Sequence, residues 1–70
     1  MNRIREIREN KNVSQGDVAK ALNVAPHTIN QYEKGRWVPT LGTWDKLADY
    51  FDVSIEYLQG YVLYAMRTSS

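Results

Sequence analysis

Cysteine is absent from this sequence of 70 residues, and histidine and phenylalanine occur once each. Without cysteine there is no disulfide framework and no thiolate metal site, and one histidine cannot complete a ligand shell. No metal and no cofactor is therefore expected. One His, no Cys and no evident pair of carboxylates in an apolar groove leave little equipment for catalysis, so an enzyme is not expected. Long apolar runs are missing too. The stretch Leu58 to Met66, broken by Gly60, is far below the ~20 residues that span a bilayer, and MNRIREIREN has no signal-peptide apolar segment. The expectation is a soluble, cytoplasmic protein without membrane contact or an evident small-molecule ligand. No repeat, low-complexity run or Gly/Ser linker precedes the final RTSS. Residues 1–70 therefore read as one domain, because a chain this short buries only about 60% of its unfolded surface and cannot build a second core.

What is present is charge, unevenly placed. The formal net charge is only +1. Residues 1–36 hold seven Lys or Arg against four Asp or Glu, a net +3, whereas residues 37–70 hold two against four, a net −2. Such asymmetry between the halves of a chain hints at an anionic partner, nucleic acid or membrane, although a solvated mixed-charge surface looks the same at this level.

The apolar residues recur at helical spacing throughout. Ile4 and Ile7 mark a first helix over Asn2 to Glu9. Ser14 can cap a second, with Asp17 in its first turn and Val18, Ala19 and Leu22 as its stripe, and Asn23 stops it. Pro26 suits the first position of a third helix, in which Ile29 and Tyr32 repeat until Gly35 supplies the C-cap. Thr40 can cap a fourth, whose stripe is Leu41, Trp44, Leu47, Ala48 and Phe51. Ile55, Leu58 and Val62 belong to a fifth, with Glu56 near its N-terminus. The patch YVLYAM has β-like composition, but a lone strand has nothing to pair with. The fold class expected is all-α, a compact bundle of about five short helices.

The informative segment is Ser14 to Gly35. Two helices of about eight residues joined by the short turn Asn23-Val24-Ala25 cannot lie antiparallel over a long contact, and a 3–4-residue turn gives a crossing of about 90–120°. That is helix-turn-helix geometry, and it leaves the second of the two helices protruding. Ala19 then sits at the crossing, Val24 plugs the turn, and Ile29 and Tyr32 anchor the protruding helix. His27, Thr28, Asn30, Gln31 and Lys34 face outward. All five can hydrogen-bond: Asn and Gln match adenine N6 and N7, His and Lys can donate to guanine, and the Thr methyl suits thymine. A face of this kind suits the reading of DNA.

These residues also form a pattern. Arg8 in the first helix, Ser14-Gln15 opening the second, Val18-Ala19 within it, the Asn23-Val24 turn, Ile29, Glu33-x-Gly35, Pro39, the apolar fourth helix and the closing DVSIEYLQG resemble the Cro and phage-repressor type of helix-turn-helix, the XRE family. The resemblance covers roughly residues 3–60. It implies a lambda-repressor-like fold, sequence-specific binding of double-stranded DNA as a transcriptional regulator, commonly a repressor, and a homodimer on a palindromic operator. By the same resemblance, Gln15, Lys34 and Arg36 match phosphate-contacting positions. His27, Thr28 and Gln31 match positions facing base edges or adjacent phosphates, with Asn30 as an additional contact. Arg8 and Glu33 match an ion pair between the first and third helices. The pattern departs from the family at Ala25 and Pro26, where a Ser or Thr and a polar base reader are usual, and Pro26 has no N–H to donate.

Two further expectations concern the edges of this unit. Trp37, in the basic loop, packs back on the bundle or lies against a sugar-phosphate edge. Tyr57, Tyr61, Val62, Leu63, Tyr64 and Met66 place more apolar surface around the tail, residues 61–70, than five short helices comfortably cover, which suggests a dimer contact. Arg3 and Arg5 are expected to be solvated, with a contribution to phosphate attraction as the alternative. A protein-interaction module of the same fold, binding another regulator rather than DNA, is the alternative reading.

Overall fold

A computed structural model describes residues 2–64, and among them the chain forms five helices and no strand. They are α1 (Ile4–Asn10), α2 (Gln15–Leu22), α3 (Pro26–Glu33), α4 (Leu41–Phe51) and α5 (Ile55–Gln59). None of the helices among the described residues is long and apolar enough to cross a membrane.

Each boundary has a local chemical cause. At α2 the Ser14 hydroxyl accepts the Asp17 N–H, and the Asp17 carboxylate accepts the Ser14 N–H, both at 3.0 Å. This reciprocal cap satisfies two backbone donors that an unadorned helix end leaves open. Asn23 closes α2 in the left-handed conformation, φ 60° and ψ 46°, which Asn tolerates better than most residues with a Cβ. Thr40 and Ser54 cap α4 and α5 by accepting the N–H of Thr43 and Tyr57. Gly60, at φ +94°, ends α5, so Val62 lies outside the helix that the spacing had assigned to it. The first helix begins at Ile4 rather than Asn2 because Asn2 serves as a bridge. Its side-chain oxygen accepts the Ile4 N–H, and its amide donates to the Tyr32 carbonyl near the end of α3.

No helix here is long enough to be stable alone, so a shared core must hold them. It is built from Ile4 and Ile7 of α1, Val18, Ala19 and Leu22 of α2, Ile29 of α3, and Trp44, Leu47, Ala48 and Phe51 of α4, closed by Val53 and Leu58. Ala19 is buried where α2 packs on α3. There a small side chain allows the helices to approach closely, and half-buried Val24 packs beneath the turn. One member of the expected stripe fails: Leu41 is 74% exposed. It is the first residue of α4, and a helical side chain leans toward the N-terminus of its helix, here away from the core.

Arg3 is not solvated as expected. Its N–H donates to the Leu58 carbonyl at 2.8 Å, and its guanidinium donates to the carbonyls of Tyr57 and Val62 at 2.6 and 2.7 Å. The same guanidinium lies 4.3 Å from the centroid of the Tyr57 ring. One residue thus ties the chain's beginning to the last turn of a five-residue helix. Of the tail, the structure describes Tyr61 to Tyr64; Met66 and the remainder lie outside the described residues.

Candidate nucleic-acid interface

The protruding helix is set by what its inward side touches. Ile29 is fully buried and Tyr32 packs against the core. Glu33, the one acid of α3, is turned inward, with 4% of its side chain exposed. It meets Arg8 of α1 in a two-pronged ion pair, Nε to Oε2 at 2.7 Å and Nη2 to Oε1 at 3.2 Å. Gln15 adds a third bond, Nε2 to Oε1 at 3.1 Å, and Arg8 also donates to the Val13 carbonyl. The hydrogen bonding that Arg8 donates to Glu33 is the main reason that its guanidinium titrates above its ordinary value. Three elements, α1, the start of α2 and the end of α3, are thereby joined at one carboxylate.

That arrangement leaves the outward side of α3 without an acid. Its N-terminus has neither a side-chain cap nor a carboxylate in the first turn, so the positive end of the helix dipole is uncompensated and favours an anion. Beside the C-terminal half of α3 lies a cleft of about 230 Å³ lined by Arg5, Arg8, Gln15, Asn30, Glu33 and Lys34. Three of the six lining residues are cations. Glu33 is already paired, and Arg5 is bound to Glu9 at 3.1 Å on the exposed surface.

The residues expected to face DNA occupy different depths. His27, Lys34 and Arg36 are exposed, and Thr28, Asn30 and Gln15 are half-buried. Gln15 commits one amide N–H to Glu33 and keeps the other. Gln31 corrects the expectation: it is 9% exposed and does not stand open on the outward face. The segment after α3 returns to the backbone of the same residue. Gly35 takes φ +74°, the chain reverses, and the N–H groups of Arg36 and Trp37 donate to the Gln31 carbonyl at 3.1 and 3.4 Å. Trp37 then lies against His27, the ring centroids 5.5 Å apart and the planes at 89°. Trp37 thus packs back on the bundle, but on the recognition helix, and the residue stays 46% exposed. The pairing of Trp37 with His27 is the feature that sequence reasoning missed. The available signal was Gly35 followed within two residues by an aromatic side chain.

A family model for helix-turn-helix proteins matches residues 4–58. The chain is 40% identical over 55 residues to an uncharacterised HTH-type transcriptional regulator of Methanocaldococcus jannaschii, covering 79% of this chain and 83% of that protein. It is 38% identical over 53 residues to the cryptic phage CTXphi transcriptional repressor RstR of Vibrio cholerae, covering 76% of this chain and 48% of that one. The chain thus spans most of the first relative and about half the length of the second. With a family match over nearly all of the folded region, and with α2 and α3 crossing at a three-residue turn over the Arg8–Glu33 pair, the chain belongs to the XRE-type helix-turn-helix family.

Proposed function

We propose that the protein is a sequence-specific transcriptional regulator, acting as a repressor, that inserts α3 into the major groove of double-stranded DNA. The observation that carries this reading is the outward side of α3. Its sole carboxylate is turned inward and neutralised by Arg8, while His27 and Lys34 are exposed at its two ends and Thr28 and Asn30 lie between them. Base-edge contacts are assigned to His27, Thr28 and Asn30. Gln31, at 9% exposure, is left out of this set. Phosphate contacts are assigned to Lys34, Arg36 and the free N–H of Gln15, which set register rather than sequence. The family and the names of the two relatives, a transcriptional regulator and a phage repressor, support the same reading.

The active form is proposed to be a homodimer. Tyr61, Leu63 and Tyr64 are 79%, 90% and 68% exposed, and pairing them across a two-fold axis would cover apolar surface that the monomer leaves in water. Two recognition helices about 34 Å apart then call for a palindromic operator. Titration of the full chain against a pool of random duplexes at low salt should enrich one palindromic sequence, and sedimentation of the complex should give two chains per duplex. Failure to enrich any sequence would transfer the fold to the alternative role, binding of another regulator. Enrichment with one chain per duplex would remove only the dimer.

A further inference from the structure

The geometry points to Trp37 as a positioning residue that fixes the His27 imidazole and so sets base discrimination at the N-terminal end of α3, an inference resting on the DNA-reading role proposed above. The path to it is short. His27 and Gln31 are four residues apart and share one side of α3. Past α3, Gly35 adopts a backbone conformation closed to most side chains, φ +74°. The reversed chain is pinned to the middle of the helix by two N–H groups on the Gln31 carbonyl, and it re-enters the protein at buried Pro39. Between those anchors the indole reaches back one turn and meets His27 edge to face at 5.5 Å, within the separation at which aromatic pairs attract.

A core-packing role does not account for this placement, because Trp37 remains 46% exposed. What the contact does is restrict an exposed imidazole. Rotation of that ring decides which nitrogen points outward, and the two nitrogens differ as donor and acceptor. The base edge that His27 can satisfy therefore depends on which ring position Trp37 permits. Holding the ring beforehand also lowers the entropy lost when DNA binds. Gln31, whose carbonyl holds the same loop, is only 9% exposed, so discrimination on this side of the helix falls first to the residue that Trp37 holds.

The test is a double-mutant cycle on the full chain. Wild type, Trp37→Ala, Trp37→Phe, His27→Ala and Trp37→Ala/His27→Ala are titrated against the enriched duplex and a random-sequence duplex at one salt concentration. Trp37→Ala should weaken binding to the enriched duplex by about 10-fold, the effect of freeing one side chain, with random-sequence affinity and thermal midpoint little changed. Trp37→Phe, which keeps an aromatic edge, should restore most of the loss. With His27 already replaced, Trp37→Ala should cost nothing more. A direct indole contact with DNA would instead give additive losses, and a merely structural role would lower both affinities and the midpoint together; either result overturns the proposal. In the free protein, the ring-proton NMR shifts of His27 should change in Trp37→Ala. Unchanged shifts would overturn the positioning role while leaving DNA reading intact. A wild-type chain that prefers no duplex would overturn both.

Discussion

Glu33 concentrates the orientation of α3 in a single carboxylate. Three donors converge on it, two from Arg8 and one from Gln15, and both charged partners are largely removed from water, with 13% of the Arg8 side chain and 4% of the Glu33 side chain exposed. Desolvation of both ions offsets much of their attraction, so the intact pair adds little net stability over a well-packed apolar substitute. Breaking it is different, because the survivor is left charged and unpaired. Glu33→Ala and Arg8→Met should each destabilise the fold by about 3–5 kcal/mol, a large share of the ~5–15 kcal/mol that holds a small domain. The double replacement Arg8→Met/Glu33→Leu should recover most of that loss. Urea denaturation of the three variants decides it: equal losses in the single and double variants would mean that the pair contributes directly rather than by mutual neutralisation. DNA binding by the double variant then reports whether the pair also sets the angle of α3.

The helix-turn-helix unit depends at the element scale on the cap of α2. The Ser14 N–H bond to its carboxylate is the largest cause holding Asp17 below its ordinary value, followed by the Ser14 side chain. A carboxyl group whose folded pKa is depressed adds stability that is present above its unfolded value, about 3.9, and lost as pH falls through the lower folded value. Stability measured by denaturant titration should therefore fall below about pH 4, and Asp17→Asn should flatten that fall while lowering stability at neutral pH. Ser14→Ala, which removes the other half of the cap, should cost about 1 kcal/mol. Caps of this kind were legible in the sequence, because Ser14, Asn23, Pro26 and Thr40 act on backbone within four residues of themselves; the stop at Gly60 was not, since the spacing carried α5 on to Val62. The α4 stripe was legible for the same local reason, apart from Leu41 at its open end. Arg3 and Trp37 were not. Arg3 binds carbonyl groups 54 to 59 residues away, and carbonyls leave no trace in side-chain pattern. Trp37 is placed by the reversal at Gly35, whose direction depends on backbone angles that composition does not reveal. Gln31 was misplaced as well: helical periodicity put it outward, whereas it is 9% exposed.

On the scale of the whole molecule, a net charge of +1 gives little long-range attraction to DNA, and at physiological salt charges beyond about 8 Å are largely screened. Electrostatic affinity must then come from the few cations that reach phosphates directly, each releasing about one counterion. The position of each cation in the fold tells them apart. Lys34 and Arg36 are exposed at the end of α3 and just beyond it, so Lys34→Ala and Arg36→Ala should each flatten the dependence of log affinity on log salt by about one unit and weaken all sequences alike. Arg3 carries the same charge in the same basic half, but its guanidinium is committed to the carbonyls of Tyr57 and Val62 and to the Tyr57 ring. Arg3→Ala should leave the salt slope unchanged and instead lower stability by loosening the short α5, which has too few residues to persist unaided. Fluorescence anisotropy on a random-sequence duplex, run between 50 and 300 mM salt as roughly the range where counterion release dominates, separates the two kinds of cation. If Arg3→Ala flattens the slope as much as Lys34→Ala does, the anion-binding face extends to the chain's beginning, and the division of its basic half into structural and DNA-facing charges is wrong.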